Sequence, residues 1–169
     1  MNEERLDEPR PATRAAKGAV APPKTTAHLR ALRGLMNGET TPPPIATLIG
    51  FAPFAVDVGH VTMQMDADSR HANPMGTLHG GVVCDLSDAA MGMAMATTLE
   101  DDESFTTLDL TSKFFKPVWN ARLSAEARVT KRTRTLGLIE CEVTDEAGSL
   151  VAKVFSTCMV LRGAEAKGR

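Results

Sequence analysis

A short run of polar residues and glycines, from His71 to Gly81, leads directly into an apolar segment that contains two aspartates. The pair Gly80-Gly81 suits the start of a helix, where the first backbone N–H groups lack an intrahelical acceptor and the helix dipole adds positive charge. Such an end can bind an anion or stabilise an oxyanion that forms during a reaction. Asp88 follows among Ala, Met and Gly residues, where desolvation of a carboxylate needs a functional reason. Together these features predict chemistry at a carbonyl group.

The elements that must position these residues are predicted from hydrophobic periodicity. An amphipathic pattern predicts a helix over 27–36, and the prolines before residue 45 predict a second short helix over 45–49. Alternating residues over 61–66 predict a strand, and a loop then leads to a long helix over about 79–99. Because that helix is apolar nearly all round, we expect it to be buried on most sides. Four more strands are predicted over 105–115, 121–131, 136–144 and 149–161.

This order of elements predicts an α+β fold, in which an antiparallel sheet wraps around the long central helix. Residues 1–26 are charged and rich in Ala, Pro and Lys, and their lack of apolar periodicity predicts a disordered tail. The folded domain is expected over 27–162, with a flexible C-terminus over 163–169.

Composition narrows the functional classes. The net charge of −2 and the pI of about 6.1 disfavour a nucleic-acid-binding protein, which would carry a basic stripe. The three cysteines are widely spaced in apolar surroundings, which favours reduced thiols in a cytoplasmic protein. No apolar run reaches the roughly 18 residues of a membrane span, and no signal-peptide core is visible. The four histidines lack metal-ligand spacing, so we expect no metal site.

The pattern Asn-x-x-Gly-x-x-His-Gly-Gly over 73–81, with an aspartate nine residues after the histidine, carries a family resemblance. It resembles the hotdog-fold acyl-CoA thioesterases, and within them the PaaI-like and 4-hydroxybenzoyl-CoA thioesterase-related branch. The resemblance covers about residues 30–161. It implies a hotdog fold, hydrolysis of an acyl-CoA thioester to a free acid and coenzyme A without a cofactor, and a homodimer that pairs into a tetramer.

The same resemblance implies roles for individual residues. The backbone N–H of Gly80 would polarise the thioester carbonyl, and Asp88 would act as a nucleophile or as a general base on water. Asn73 would orient the substrate or the attacking water. His79 would shape the thioester site, and Thr107 would steady the water.

Helix geometry tests one part of this assignment. Gly80 and Asp88 are eight residues apart, which places them about 12 Å apart along one helix. They therefore cannot act on the same carbonyl from one subunit. Two antiparallel helices from two subunits would bring Gly80 of one near Asp88 of the other, so this function requires a dimer.

Five further residues are candidates for contact with the substrate, namely Gly81, Met75, Asp85, Arg132 and Arg134. Asp85 either raises the pKa of Asp88 by like-charge repulsion or is solvated at the mouth of a groove. The two arginines lie at a predicted hairpin, where they could bind coenzyme A phosphates or belong to a solvated turn. The Asn73-Pro74 pair could likewise form only a turn, and the methionines could be core residues.

Two other functions are compatible with the sequence. One is a non-catalytic hotdog protein that binds acyl-CoA, and the other is a hotdog hydratase or dehydratase. The Gly-Gly pair after His79 favours the thioesterase over the hydratase or dehydratase. The presence of Asn73, Gly80 and Asp88 disfavours a non-catalytic protein. The sequence leaves open the acyl group, which could be aromatic or a short or medium aliphatic chain, and the choice between covalent and general-base catalysis.

Overall fold

The computed structural model describes residues 25–167. The predicted disordered tail lies outside the described residues except for Thr25 and Thr26. At the other end, Gly163–Ala166 form a short 3-10 helix, and residues 168–169 are again outside the description. Flexibility of the C-terminus therefore stays a prediction.

Two short helices precede the sheet, as predicted. Helix α1 spans Ala27–Met36, and the Thr26 hydroxyl accepts a hydrogen bond from the backbone N–H of Leu29 at its start. Helix α2 spans Pro44–Ile49. It ends at Gly50, whose φ of +89° is a left-handed conformation that favours glycine.

The first strand was not predicted. Strand β1 spans Phe51–Asp57 and pairs with β2, which spans His60–Ala67. Its pairing is irregular after Pro53, and only Phe51 and Val56 are buried along it. A proline and a bulge on an edge strand interrupt the two-residue alternation, so the sequence carries no readable strand pattern there.

Helix α3 spans Gly80–Ala96, three residues short of the predicted C-terminal end. The difference arises from two threonines, because the hydroxyls of Thr97 and Thr98 donate to the carbonyls of Ala94 and Met95. These bonds satisfy carbonyls of the last turn and allow the chain to leave the helix.

Four long strands complete the sheet close to their predicted positions. All pairs are antiparallel, and the strand order is β1-β2-β4-β5-β6-β3, so β1 and β3 are the two edges. The sheet packs around α3, which confirms the predicted α+β hotdog arrangement. The strands are β3 (Glu103–Phe114), β4 (Ala121–Arg132), β5 (Leu136–Thr144) and β6 (Leu150–Arg162).

The expected burial of α3 is met in part in the single chain, where seven of its 17 residues are buried, seven are half-buried and three are exposed. One stripe of the helix faces the sheet and is buried, while Gly81, Asp85 and Asp88 on another face are exposed. The sheet covers a helix from one side only, so small and apolar residues on the opposite face do not by themselves bury it. The buried stripe consists of Val83, Leu86, Ser87, Ala90, Met91, Ala94 and Met95.

Replacing Leu86 by alanine tests how strongly this packing stabilises the domain. Leu86 is fully buried between α3 and the sheet, so Leu86→Ala should lower the free energy of unfolding by about 2–5 kcal/mol. Leu48 on α2 is 78% exposed, and Leu48→Ala should change it by less than about 0.5 kcal/mol. Urea unfolding at one fixed protein concentration measures both. Equal losses would contradict a core centred on α3.

Candidate active site

The loop before α3 is held in place by a buried histidine. The His71 Nδ1 accepts a hydrogen bond from the Asp68 backbone N–H, and its Nε2 donates to the carbonyl of Ile49. The His71 carbonyl in turn accepts from the His79 N–H at 2.8 Å. His71 therefore anchors both ends of the loop through hydrogen bonds.

The start of α3 presents a free backbone donor. His79 is the cap residue, and its Nδ1 accepts from the Gly81 N–H at 2.9 Å. This bond requires Nδ1 to be unprotonated, so the neutral ring carries its proton on Nε2. Within residues 25–167 the Gly80 N–H has no hydrogen-bond acceptor. It remains available at the positive end of the helix dipole, where an oxyanion would be stabilised.

A side chain at position 80 would crowd an aromatic ring. A Cβ atom built on Gly80 would lie 3.2 Å from the Phe114 Cζ, so the ring of Phe114 packs directly on the helix start. Both residues line a cavity of about 400 Å³ together with Val83 and Val118. The sequence analysis missed Phe114, whose only signal is its place at the end of a strand that approaches the Gly-Gly pair.

Asn73 serves the loop in this structure. Its Oδ1 accepts from the backbone N–H of Met75 at 2.8 Å and of Thr77 at 3.3 Å, and its Nδ2 donates to the Thr77 hydroxyl. These contacts are those of the turn that the sequence allowed as an alternative to substrate binding. Met75 lies at the loop tip with 82% of its surface exposed, so it is not a core residue in the single chain.

Asp88 lies in the middle of α3, on its exposed face. The Thr107 hydroxyl donates to its Oδ1 across 3.4 Å, which brings together two of the predicted catalytic residues. Partial burial of the carboxyl raises the pKa of Asp88 above its ordinary value. The hydrogen bond from Thr107 opposes this shift, and the negative charge of Asp85 adds to it.

The side chain of Asp85 is exposed, and its charge is near enough to raise the pKa of Asp88. Its contact with substrate stays a prediction. The charge of Asp85 raises the pKa of Asp88 less than the desolvation of the Asp88 carboxyl does.

The Asp88 carboxylate borders an open groove of about 500 Å³ between α3, β3 and the start of α2. The walls are predominantly apolar, which accounts for the desolvation of the carboxyl. The sequence analysis missed most of these wall residues, because they come from four separate elements. They include Pro43, Ile45, Phe51, Gly92, Met93 and Phe105.

The two halves of the predicted site lie in different cavities of the chain. Gly80 lines the cavity at the start of α3, and Asp88 lines the groove two turns farther along. The cavities share no lining residue, and one continuous helix separates the two groups. A single chain therefore does not bring the Gly80 N–H and the Asp88 carboxylate to one carbonyl.

The two candidate arginines differ in their surroundings. Arg132 donates from Nη2 to the Glu103 carboxylate at 2.9 Å, and Arg162 binds the other oxygen of the same carboxylate. Burial disfavours the charge on Glu103, but the Glu100 N–H and the two guanidinium groups outweigh it and lower the pKa of Glu103. A phosphate would therefore compete with the Glu103 carboxylate for Arg132. Arg134, by contrast, is exposed in the turn between β4 and β5.

The described residues offer neither a metal site nor a membrane-spanning helix. Among residues 25–167, no cluster of three or more His, Cys, Asp or Glu side chains could hold a metal ion. No helix in this described range is both long enough and apolar enough to cross a membrane.

Comparison with known proteins identifies the family. The sequence pattern of the thioesterase superfamily matches residues 75–152. Human acyl-coenzyme A thioesterase 13 is 31% identical over 112 residues, which are 63% of this chain and 74% of that protein.

Solved structures agree with this match. A phenylacetic acid degradation-related protein from Ralstonia eutropha JMP134 is 31% identical, with a TM-score of 0.69 over 76% of this chain and 98% of that one. A thioesterase from Haemophilus influenzae has a TM-score of 0.71 over 80% of this chain and 94% of that one, and at 22% identity it supports the fold alone. These matches confirm the predicted thioester hydrolase, and the chain belongs to the thioesterase superfamily of hotdog proteins.

Proposed function

We propose that the protein is an acyl-CoA thioesterase that releases a free carboxylic acid and coenzyme A. The observation that carries the proposal is the Asp88 carboxylate, which lies against Thr107 at the edge of an apolar groove. Human acyl-coenzyme A thioesterase 13 and a 1,4-dihydroxy-2-naphthoyl-CoA hydrolase from Listeria monocytogenes are among its relatives. Their names support coenzyme A thioesters as the substrate class.

In the proposed reaction, the Gly80 N–H donates to the thioester oxygen and stabilises the oxyanion that forms there. Water attacks the carbonyl carbon and gives its proton to Asp88, or the carboxylate attacks first and water hydrolyses the resulting anhydride. In either route, collapse of the oxyanion formed by the first attack expels the coenzyme A thiolate, which is then protonated. In the covalent route this collapse forms the anhydride and precedes its hydrolysis. The raised pKa of Asp88 strengthens it as a base, because a general base works best near the operating pH. Metals and cofactors have no part in this proposal.

The proposed active unit is a homodimer. Strand β3 is a sheet edge of 12 residues, and its outer side leaves backbone N–H and C=O groups without a strand partner. Leu108 on this edge is 53% exposed, and Phe114 is 54% exposed. Antiparallel pairing of β3 with the same strand of a second copy would place the two α3 helices side by side in opposite directions. Gly80 of one protomer would then approach Asp88 of the other, and pairing of two dimers would give the expected tetramer.

The stability of the protein should depend on pH through Asp88. Because folding raises the pKa of Asp88, the folded state binds more protons between the two pKa values, and stability falls as pH rises through that interval. Asp88→Asn removes this ionisation, so the variant should melt at a higher temperature than wild type near pH 7. The difference should vanish in acid, below the ordinary pKa of an aspartate. Thermal melts at both pH values test this, and a less stable variant near pH 7 would contradict the raised pKa.

Loss of the carboxylate should abolish turnover. Asp88→Asn keeps the shape of the side chain but removes the base, so kcat/KM should fall by about 10²–10⁴-fold. Free-thiol release from a panel of acyl-CoAs measures this, and a chelator in parallel reactions should have no effect. Asp85→Asn is the matched control one turn earlier, for which we expect a change of less than about tenfold.

The outcomes of this assay separate the competing functions. Turnover that survives in Asp88→Asn would exclude Asp88 as the catalyst and direct attention to Asp85. Wild-type protein that binds acyl-CoA tightly without turnover would instead be the non-catalytic acyl-CoA-binding protein.

A site shared between protomers can be tested by mixing two inactive variants. Gly80→Val blocks the oxyanion position beside Phe114, and Asp88→Asn removes the base, so each variant alone should be inactive. Heterodimers purified with two affinity tags contain one intact site of two, and should recover about half of wild-type turnover. Heterodimers of Asp88→Asn with Asp88→Ala serve as the control and should stay inactive. No recovery in confirmed Gly80→Val/Asp88→Asn heterodimers would contradict the shared site.

A further inference from the structure

One wall of the groove beside Asp88 is formed by a glycine and an aromatic ring that lie against each other. Gly92 lies four residues after Asp88 on α3, and Phe105 lies on the neighbouring strand β3. A Cβ atom built on Gly92 would meet the Phe105 Cζ at 3.4 Å and Cε2 at 3.7 Å. The ring therefore lies directly against the helix backbone, at a place where α3 has no side chain.

The groove extends from Asp88 in one direction along the helix. All its lining residues on α3 are at or after Asp88, namely Asp88, Ala89, Gly92 and Met93. Asp88 and Gly92 are one turn apart, which is about 6 Å along the helix axis. If the reacting carbonyl lies at the Asp88 carboxylate, the acyl group attached to it enters the groove and reaches Phe105 after about this distance.

The other walls favour an apolar acyl group and leave Phe105 as the barrier along the helix. Pro43 and Ile45 come from the start of α2, and Phe51 from β1. Ile45 is 48% exposed, so this side of the groove is open at its rim. Phe105 is half-buried and packs against the core, so its ring is held from behind.

From this geometry we propose that Gly92 and Phe105 together set the maximum length of the acyl group that the enzyme hydrolyses. The inference rests on the proposed thioesterase function and deepens it by assigning specificity to two residues. Acyl chains that end before the Phe105 ring fit the groove. Longer chains require the ring to move away from the helix, against the core packing that holds it.

The two residues should act in opposite directions when they are changed. A larger side chain at position 92 either fills the groove or pushes the Phe105 ring into it, so the accepted acyl length decreases. A smaller side chain at position 105 opens the barrier, so the accepted length increases. A merely structural role for either residue would reduce turnover of all substrates together.

The experiment measures kcat/KM for a series of saturated acyl-CoAs from acetyl to dodecanoyl. Gly92→Leu should lower kcat/KM for long acyl-CoAs more than for acetyl-CoA, with a loss of about tenfold or more for each methylene beyond the new limit. Gly92→Ala places its methyl group in ordinary contact with the ring and should shift the limit less, in the same direction. Phe105→Leu should move the limit to longer chains.

Gly34→Ala is the matched control. Gly34 is a buried glycine of α1 whose added Cβ would meet Glu39 Oε2 at 3.5 Å, a distance similar to that at Gly92. It tests the effect of an extra methyl group in a helix away from the groove, and it should leave the length profile unchanged. Melting temperatures of all variants establish that they are folded. If Gly92→Leu does not fold, Gly92→Ala and Phe105→Leu still give the two opposite shifts.

An unchanged length limit in the folded Gly92 and Phe105 variants, or an equal loss for all chain lengths, would overturn the inference. Asp88→Asn is assayed in the same panel to separate this failure from failure of the proposed function. If wild-type turnover depends on Asp88 but the limit does not move, only the length assignment is wrong. Absence of wild-type turnover for every acyl-CoA would overturn the proposed function and the length assignment together.

Discussion

The packing of helix α3 against one side of the sheet is the constraint on which the rest of the structure depends. One face of the helix supplies core residues such as Leu86 and Met91, which are fully buried. The same contact fixes the direction of the helix axis, and with it the position of the Gly80 N–H at one end. The opposite face is left free to carry Asp88. A helix that was polar on both faces would not pack stably against the sheet. A helix that was apolar on both faces would carry no carboxylate.

The electrostatics of Asp88 follow from this two-sided arrangement. Its carboxyl lies beside a groove with mostly hydrocarbon walls, so neighbouring atoms remove part of its hydration. Thr107 supplies a hydrogen bond that favours the charged form, and Asp85 supplies a charge that disfavours it. The balance leaves a carboxylate whose pKa is raised, which is a useful property for a proposed general base in a site without a metal.

The two halves of the proposed reaction site do not meet within one chain. Gly80 and Asp88 line separate cavities because a rigid helix holds them apart, and the β3 edge beside both cavities has no strand partner. In the proposed dimer, one association event would satisfy the exposed edge and complete both sites. Assembly and activity would then depend on the same surface. This differs from an enzyme whose subunits associate at a distance from their active sites.

Much of the fold could be predicted from the sequence, because its signals are local. Glycine pairs, apolar periodicity and turn residues placed the three α-helices and five of the six strands within a few residues of their observed bounds. Strand β1 was missed because Pro53 and a bulge interrupt its alternation, and the end of α3 was misplaced because hydroxyl groups at Thr97 and Thr98 close it early. The predicted fold class was correct despite both errors, since neither error changes the order of the remaining elements.

The same distinction between local sequence signals and long-range contacts applies to the candidate site. The sequence by itself determined which groups could do chemistry, because the Gly80 helix start and the Asp88 carboxylate lie in one continuous motif and helix. Only the tertiary structure decided what surrounds them. It showed the Asn73 amide bonded within its own turn, Arg132 paired with Glu103, and Phe105 lying on Gly92. Each of these contacts joins residues through the folding of a loop, a sheet or a helix against a strand, and side-chain types alone do not specify such distances.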